Sequence, residues 1–264
     1  MNTLTLKILA IVFMLIDHIG YFMGNSVFRI IGRLSFPIFA FLIANGFKYT
    51  KNVYKYALRL FAFAIVSEFI YDFCFGGGNV VFVSLSGAIP RPKLDNVFFT
   101  LLIGLCYLIC NRFLKDRIKH HWLVSVPLLF VMAYGATFVS SDYGAIGVLW
   151  VALFGLFDVS EKKNYIPLTC GAILLAVWRL LIKSITGALN VSFTHVYFVN
   201  AFIQSGEIGF MDTIQCFAAF AFVPILLYNG KSGSPKSPVL RETLKYAFYA
   251  FYPLHILVLY CIFR

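Results

Sequence analysis

The chain has 264 residues, 61% of them hydrophobic and only 12% charged, with a net charge of +11. A soluble domain carries about 25% charged residues around one apolar interior, so 30 Phe and 15 Tyr beside so little charge exclude an ordinary soluble globule. The basic residues lie in short loops between apolar runs, with no basic arm or domain, which argues against nucleic acid as a partner and for membrane orientation. The composition reads as an all-α integral membrane protein, with residues 1–264 forming a single polytopic domain in the lipid bilayer.

Apolar windows about twenty residues long fall near 4–24, 27–47, 53–74, 95–113, 121–139, 142–158, 164–184, 209–228 and 245–263. They predict about nine transmembrane helices in one bundle. The first runs on without a small-residue cleavage site and reads as a span, not a signal peptide. The sixth is short, and the eighth could begin earlier or be broken. The stretch 187–206 is too polar for a span and fits an interfacial or re-entrant segment. The loops 76–95 and 229–238 are marked as turns by Gly, Ser and Pro. Pro37, Pro127 and Pro253 could break helices around a cavity, although membrane helices tolerate proline. The six cysteines show no metal-ligand spacing and read as packing residues, so no metal is expected.

Lys48/Lys51/Lys55, Arg112/Lys115/Arg117/Lys119, Lys162/Lys163 and Lys231/Lys236/Arg241/Lys245 alternate with less basic loops. Nine spans put all four clusters on one side, which should be cytoplasmic, with the amino terminus inside and the carboxyl terminus outside. In that frame Asp17, Glu68, Asp72, Asp95, Asp142, Glu207 and Asp212 fall in the outer halves of spans or at their outer ends. His18, Arg33, Asn96, Thr100, Tyr143, Arg179 and Gln215 share the layer. Polar groups from many helices at one depth suggest a buried, water-accessible site. An interhelical polar network that only holds the bundle together is the structural alternative.

The first span contains LKILAIVFMLIDH (6–18). Eleven residues turn a helix by about 1100°, only about 20° beyond three full turns, so Lys7 and His18 share a face about 16.5 Å apart along the axis. A cytosolic donor with anionic phosphates and a long thin arm would fit, with phosphates near Lys7 and its reactive end at His18; acetyl-CoA is such a molecule. Histidine titrates near neutrality and can take a proton from an attacking amine or hydroxyl. Lys7 would otherwise snorkel to the headgroups. Asp17 points about 100° away from His18, so it either supports the imidazole or orients a neighbouring helix. Glu68 and Asp142 are rival carboxylates for orienting His18. Arg33 would either pair with Asp17 or Glu68 or place a fixed positive charge near a thioester oxygen. Arg59, Lys48 and Lys55 suit nucleotide phosphates, or are ordinary inside-facing charges.

Lys7-x10-His18 is similar to the basic-x10-His signature of the acyltransferase-3 superfamily of membrane acyltransferases. In closer detail, LKILAIVFMLIDHIG (6–20), FRIIGRLSFPIFAFLIANGF (28–47), NVYKYALRLFAFAIVSE (52–68), NVFFTLLIGL (96–105), SDYGAIGVLW (141–150) and KYAFYAFYPLHILVLY (245–260) resemble, in order, the TraX family. That family takes its name from the pilin N-acetylase of conjugation systems. The resemblance implies transfer of an acetyl group from acetyl-CoA across or within the membrane. It makes His18 the catalytic histidine, Lys7 its basic partner and Arg33 the second-helix arginine. His255 in FYPLH matches the carboxyl-terminal motif, with no role attached. Loop 76–94 has no counterpart and would shape the acceptor entrance.

The expected site therefore has His18, Asp17 and Arg33 at the chemistry, and Lys7, Arg59 and Lys48 toward the donor. Glu68, Asp142, Tyr143 and His255 lie toward the acceptor, which is a peptide amine, a glycan, a lipid or a small metabolite. Direct attack and an acetyl-histidine intermediate are both compatible with these residues. A proton-coupled transporter or lipid flippase using the acidic layer is the alternative reading, and a non-catalytic assembly protein of a secretion or conjugation apparatus is a third. The expected location is the cell membrane, as a multi-pass protein of a bacterial cytoplasmic membrane.

Overall fold

A computed structural model describes residues 1–75, 83–84, 91–161, 164–188 and 209–263. Helix α1 (Thr3–Phe22) starts at Asn2, whose side chain accepts from the Thr5 amide. The chain turns at Gly24, where φ is +63° and a glycine relieves the strain of the left-handed conformation. Asn25 then caps α2 (Ser26–Gly32) by accepting from the Val27 and Phe28 amides.

The second expected span, 27–47, is two helices. α2 ends at Gly32, and α3 (Ser35–Tyr49) begins after Arg33 and Leu34. Pro37 accounts for the break. It lacks the N–H that would reach the Arg33 carbonyl one turn back, and its ring crowds that same carbonyl. Ser35 Oγ donates to the Ala10 carbonyl at 2.9 Å and ties the restart to α1. Arg33 therefore stands at a joint. Pro127 and Pro253, by contrast, lie inside continuous helices.

The remaining helices among the described residues are α4 (Val53–Phe75), α5 (Val97–Arg117), α6 (Trp122–Phe138), α7 (Gly144–Leu156), α8 (Tyr165–Ala188), α9 (Phe210–Gln215), α10 (Phe222–Leu226) and α11 (Pro238–Phe263). A 3-10 segment, Cys216–Ala221, joins α9 to α10, so the eighth expected span is in three pieces. Between α4 and α5, β1 (Val83–Ser84) and β2 (Arg91–Pro92) form a two-residue antiparallel ladder. Each of the nine apolar runs carries helix. Among the described residues five stretches are long and apolar enough to cross a membrane: Thr3–Met23, Ser26–Tyr49, Val97–Arg117, Tyr165–Ile185 and Pro238–Phe263. Most of the polar segment 187–206, most of loop 76–90, the Lys162/Lys163 pair and Glu207 lie outside the described residues.

Contacts between helix ends define the two ends of the bundle. At one end Lys48 pairs with Asp158, Arg112 lies 3.7 Å over the Phe47 ring, and the Asn229 amide donates to the Met1 carbonyl at 2.8 Å. At the other end Glu68 meets Asn96, and the Leu94 amide donates to the Val139 carbonyl at 3.0 Å. These are called below the Lys7 end and the His18 end. α7 lies against α3, α5, α6 and α8, and its Trp150 and Val148 are fully enclosed. The exterior is apolar as well as the core, and several acids are buried. Asp17, Glu68, Asp72, Asn96 and Asp212 are buried, whereas Leu58, Val131, Ile166 and Val239 are exposed.

Candidate functional site

Small residues bring the first two helices together. A Cβ at Gly32 would overlap the Asp17 side chain, and one at Gly20 would lie 2.6 Å from the Phe28 Cβ. The close approach lets Asp17 pair with both Arg29 and Arg33, which are four residues apart and face the same way along α2. Planar guanidiniums suit such shared carboxylates. Asp17 is thereby committed to the α1–α2 joint and supports the imidazole of His18 only indirectly.

His18 faces elsewhere. Its Nδ1 lies 3.0 Å from the Met14 carbonyl and 3.0 Å from Nε2 of His255, whose own Nδ1 lies 2.8 Å from the Phe251 carbonyl. A carbonyl oxygen only accepts, so each Nδ1 carries hydrogen. His255 Nε2 is then an acceptor, and the His18 Nδ1–H is shared between it and Met14. Nε2 of His18 is left as the lone-pair nitrogen. The Phe251 ring stacks on His255, with centroids 4.9 Å apart and planes 8° apart, and fixes that ring in turn.

His18, Asp17, Arg29, Arg33, Asp142 and Tyr143 line a cavity of about 190 Å³, with Tyr21, Phe36, Tyr71 and Tyr252 as aromatic wall. Tyr143 stacks on Phe36 at 3.7 Å. Arg33 is buried, and among the described residues its Nε has no partner. Asp142 stands on the turn between α6 and α7. It is exposed at the turn's surface, yet enough protein surrounds it that desolvation pushes its carboxyl up to about 6 against the pull of the Arg33 guanidinium.

A second cavity, of about 480 Å³, lies toward the other end and is lined by Lys7, Arg59, Lys245, Tyr56, Phe248 and Tyr249, among others. Among the described residues no Asp or Glu lines it. Lys7 Nζ sits 5.4 Å above the Phe248 ring, and the Arg59 guanidinium lies 5.6 Å from Tyr56 and 5.8 Å from Tyr249. Arg59 Nε is buried without a partner among the described residues. Two cations against aromatic faces, with no acid beside them, make an electropositive chamber suited to an anion.

Of the residues expected at the site, five border the first cavity (His18, Asp17, Arg33, Asp142, Tyr143) and two the second (Lys7, Arg59). His255 stands behind His18. Lys48 and Glu68 line neither cavity. Lys48 pairs with Asp158 at the surface. Glu68 accepts from the Asp95 amide at 2.8 Å, the Asn96 amide at 3.2 Å and the Asn96 side chain, and so anchors the start of α5. Lys93 meets Asp72 at 3.4 Å and Asp95 at 2.8 Å, and Asp212 meets Arg179 at 2.9 Å and Lys183 at 2.7 Å. Much of the acidic layer therefore ties helices together. Among the described residues no group of three or more His, Cys, Asp or Glu is placed to hold a metal.

Arg29, Tyr21, Tyr71, Tyr252 and Phe39 also line the first cavity and were not expected there. Arg29 was detectable from its i, i+4 spacing to Arg33. The aromatics were hidden among 30 Phe and 15 Tyr.

Across 96% of its length the chain is 27% identical to a "Probable fimbrial assembly protein FimC, serogroup H1" of Dichelobacter nodosus, covering 92% of that protein. It is 23% identical to an uncharacterized protein of Rickettsia prowazekii (strain Madrid E), over 74% of this chain and 69% of that one. No solved structure matches it. The family model described as "TraX protein" matches residues 3–263, the whole helical assembly including both cavities, and the chain belongs to the TraX family.

Proposed function

We propose that this protein is an integral membrane acetyltransferase that moves an acetyl group from acetyl-CoA on the Lys7 side to an amine or hydroxyl acceptor on the His18 side. In this reading it is related to the acyltransferase-3 superfamily, all nine helical runs lie in the membrane, and the amino terminus is cytoplasmic. The protein would reside in the bacterial cytoplasmic membrane. The basic clusters at 48–55, 112–119 and 231–245 gather at the Lys7 end, as the positive-inside rule requires of a cytoplasmic face.

The observation that carries the reading is the state of His18. Its Nδ1–H is committed to Met14 and His255, so Nε2 is a lone pair on a ring that lines a cavity beside a partly unpaired arginine. That nitrogen accepts the proton of an approaching amine or hydroxyl. Arg33, held by Asp17, keeps a fixed positive charge at the same wall, where negative charge would build as the acceptor attacks. Lys7 and Arg59 fit the phosphates of acetyl-CoA, since they offer positive charge and an unpartnered Nε with no competing acid among the described residues. Acetyl-CoA, when bound, supplies the activated acetyl group. Asp142 and Tyr143 line the same cavity and would meet an acceptor beside His18.

The name of the Dichelobacter relative, a fimbrial assembly protein, makes a pilus subunit the first acceptor to try, ahead of a glycan, a lipid or a small metabolite. A proton relay, as a transporter would need, is less well supported, because Glu68, Asp72, Asp95 and Asp212 are all engaged in fixed ties. The test is release of free CoA from radiolabelled acetyl-CoA by the purified protein in detergent, beside His18→Ala. Slow release by the wild type and none by the variant supports the reading. If neither protein binds or hydrolyses acetyl-CoA, the donor assignment fails.

A further inference from the structure

The two cavities share one residue. Phe39 lines both. It stands on a stripe of α3 that borders the first cavity through Ser35 and Phe36 and the second through Leu42, Ile43 and Gly46, spacings that keep to one helical face. α1 does the same, with Met14 and His18 in the first cavity and Thr3 and Lys7 in the second. So does α11, with Tyr252 in the first and Lys245, Phe248 and Tyr249 in the second. Five helices, these three together with α4 and α5, therefore border both chambers, and one half-buried ring stands where the chambers meet.

We propose that the two cavities are halves of one passage through the bundle and that the Phe39 side chain is its partition. It admits a thin flexible arm from the Lys7 chamber and stops thicker groups and free exchange of solutes. In its application to the donor this rests on the acetyl-CoA reading; as a statement about the passage it does not. A phenylalanine suits the position because its ring can swing about two side-chain torsions on a fast timescale, while an apolar constriction resists continuous wetting. The narrowness falls on the donor's own requirement. Its phosphates stay among Lys7 and Arg59, and only the arm needs to reach His18, which is about 16.5 Å further along the same helix.

Two experiments test it. The first places F39C in proteoliposomes and adds a charged, membrane-impermeant methanethiosulfonate to one face or the other. Reading the modification at residue 39 by peptide mass spectrometry leaves the six native cysteines in place. Modification from both faces is expected, because a small side chain opens the partition. Modification from one face only, or from neither, overturns the passage.

The second compares F39W and F39L for binding of CoA and for release of CoA from acetyl-CoA. F39W should bind within about threefold of wild type and turn over at least about tenfold more slowly, since a misplaced reactive end loses rate without losing the remote contacts. F39L, whose side chain leaves the constriction no narrower, should turn over faster than F39W by at least about tenfold, which separates obstruction by the larger ring from a general intolerance of substitution. Wild-type turnover by F39W overturns the partition on the donor's route. A wild type that ignores acetyl-CoA, with the F39C variant still modified from both faces, overturns the donor reading and supports the passage.

Discussion

Nε2 of His255 lies 3.0 Å from Nδ1 of His18 across 237 positions of chain. The contact ties the carboxyl-terminal helix to the first, and with the Met14 carbonyl it keeps the hydrogen of His18 on Nδ1 and leaves Nε2 free. With the Phe251 carbonyl holding the His255 proton at Nδ1, His255 presents only a lone pair toward His18. In the acetyltransferase reading it is a positioning residue. Its role is to hold the tautomer and orientation of the ring that faces the cavity.

His255→Leu should therefore slow CoA release by about one to two orders of magnitude, the range for losing an orienting hydrogen bond to a general base. The variant should still fold, since Leu fills similar volume. His255→Asn, whose amide oxygen can accept from the His18 Nδ1–H, should recover part of the loss. The pH profile separates this role from mere packing. Leu should shift the rate-determining ionisation and Asn should return it toward wild type. Equal damage by Leu and Asn with an unmoved profile would reduce His255 to a packing residue.

Asp17 carries a different prediction. Its side chain is 11% exposed, and those of Arg33 and Arg29 are 9% and 17% exposed. Removing one member of so enclosed a group leaves the others charged and desolvated, at a cost of about 3–5 kcal/mol. Asp17→Ala strands two arginines and should be the more damaging of two variants, Asp17→Ala and Arg29→Ala. Arg29→Ala leaves the Arg33 pair intact and should cost less. Thermal unfolding in detergent ranks them, and an Asp17→Ala protein as stable as wild type would remove the joint from the account of the fold.

The helical runs were legible because apolar length is a strong signal. The break at Arg33 was not. A twenty-residue window averages across it, and Pro37 alone does not distinguish a tolerated proline from one that stops a helix. Lys7 and His18 were placed on one face by periodicity, and each does border a cavity. What periodicity cannot supply is the partner across the bundle. Asp17 had several rivals for its charge, and the answer depended on how closely Gly20 and Gly32 let two helices approach. His255 was visible only through a family likeness, since no local pattern links residues so far apart. Glu68 was expected toward the acceptor, and its carboxylate is instead engaged at the start of α5. A buried carboxylate suggests chemistry, but backbone amides at a helix start satisfy it as fully as a substrate would.

The glycines make a paired test. Gly32→Ala puts a methyl group into the Asp17 carboxylate, where neither element can give way without losing the ion pairs, and should destabilise by about 1–3 kcal/mol. Gly135 lies within α6 with nothing inside 4 Å of a Cβ added there. Gly135→Ala should be neutral or stabilise by up to about 1 kcal/mol through helix propensity. Unfolding midpoints of the two variants check both at once, and equal effects would mean that the α1–α2 approach is not tight.

Lys48 and Lys7 were both expected toward the donor's phosphates, and only Lys7 lines the second cavity. Lys48 pairs with Asp158 where the side chains are 43% and 31% exposed, a setting in which an ion pair contributes at most about 1 kcal/mol. Burial pushes the Asp158 carboxyl up, but the Lys48 ammonium and the hydrogen bonds from Ser160 outweigh it and hold the carboxyl below its ordinary value. A depressed carboxylate contributes stability that is present above its unfolded pKa of about 3.9 and is lost as pH falls through the folded value. The pair should therefore matter slightly at neutral pH and not at all in strong acid. Lys48→Ala should leave CoA binding unchanged and lower the unfolding midpoint by only a degree or two, an effect of roughly 0.5 kcal/mol in a chain this size. Lys7→Ala and Arg59→Ala should weaken CoA binding by about tenfold each, since each removes a charge from a chamber with no acid to release. Raising salt should weaken wild-type binding and affect the variants less. Isothermal titration of CoA into the three variants decides it. If Lys48→Ala loses as much affinity as Lys7→Ala, the phosphates bind at the surface pair and not in the Lys7 chamber.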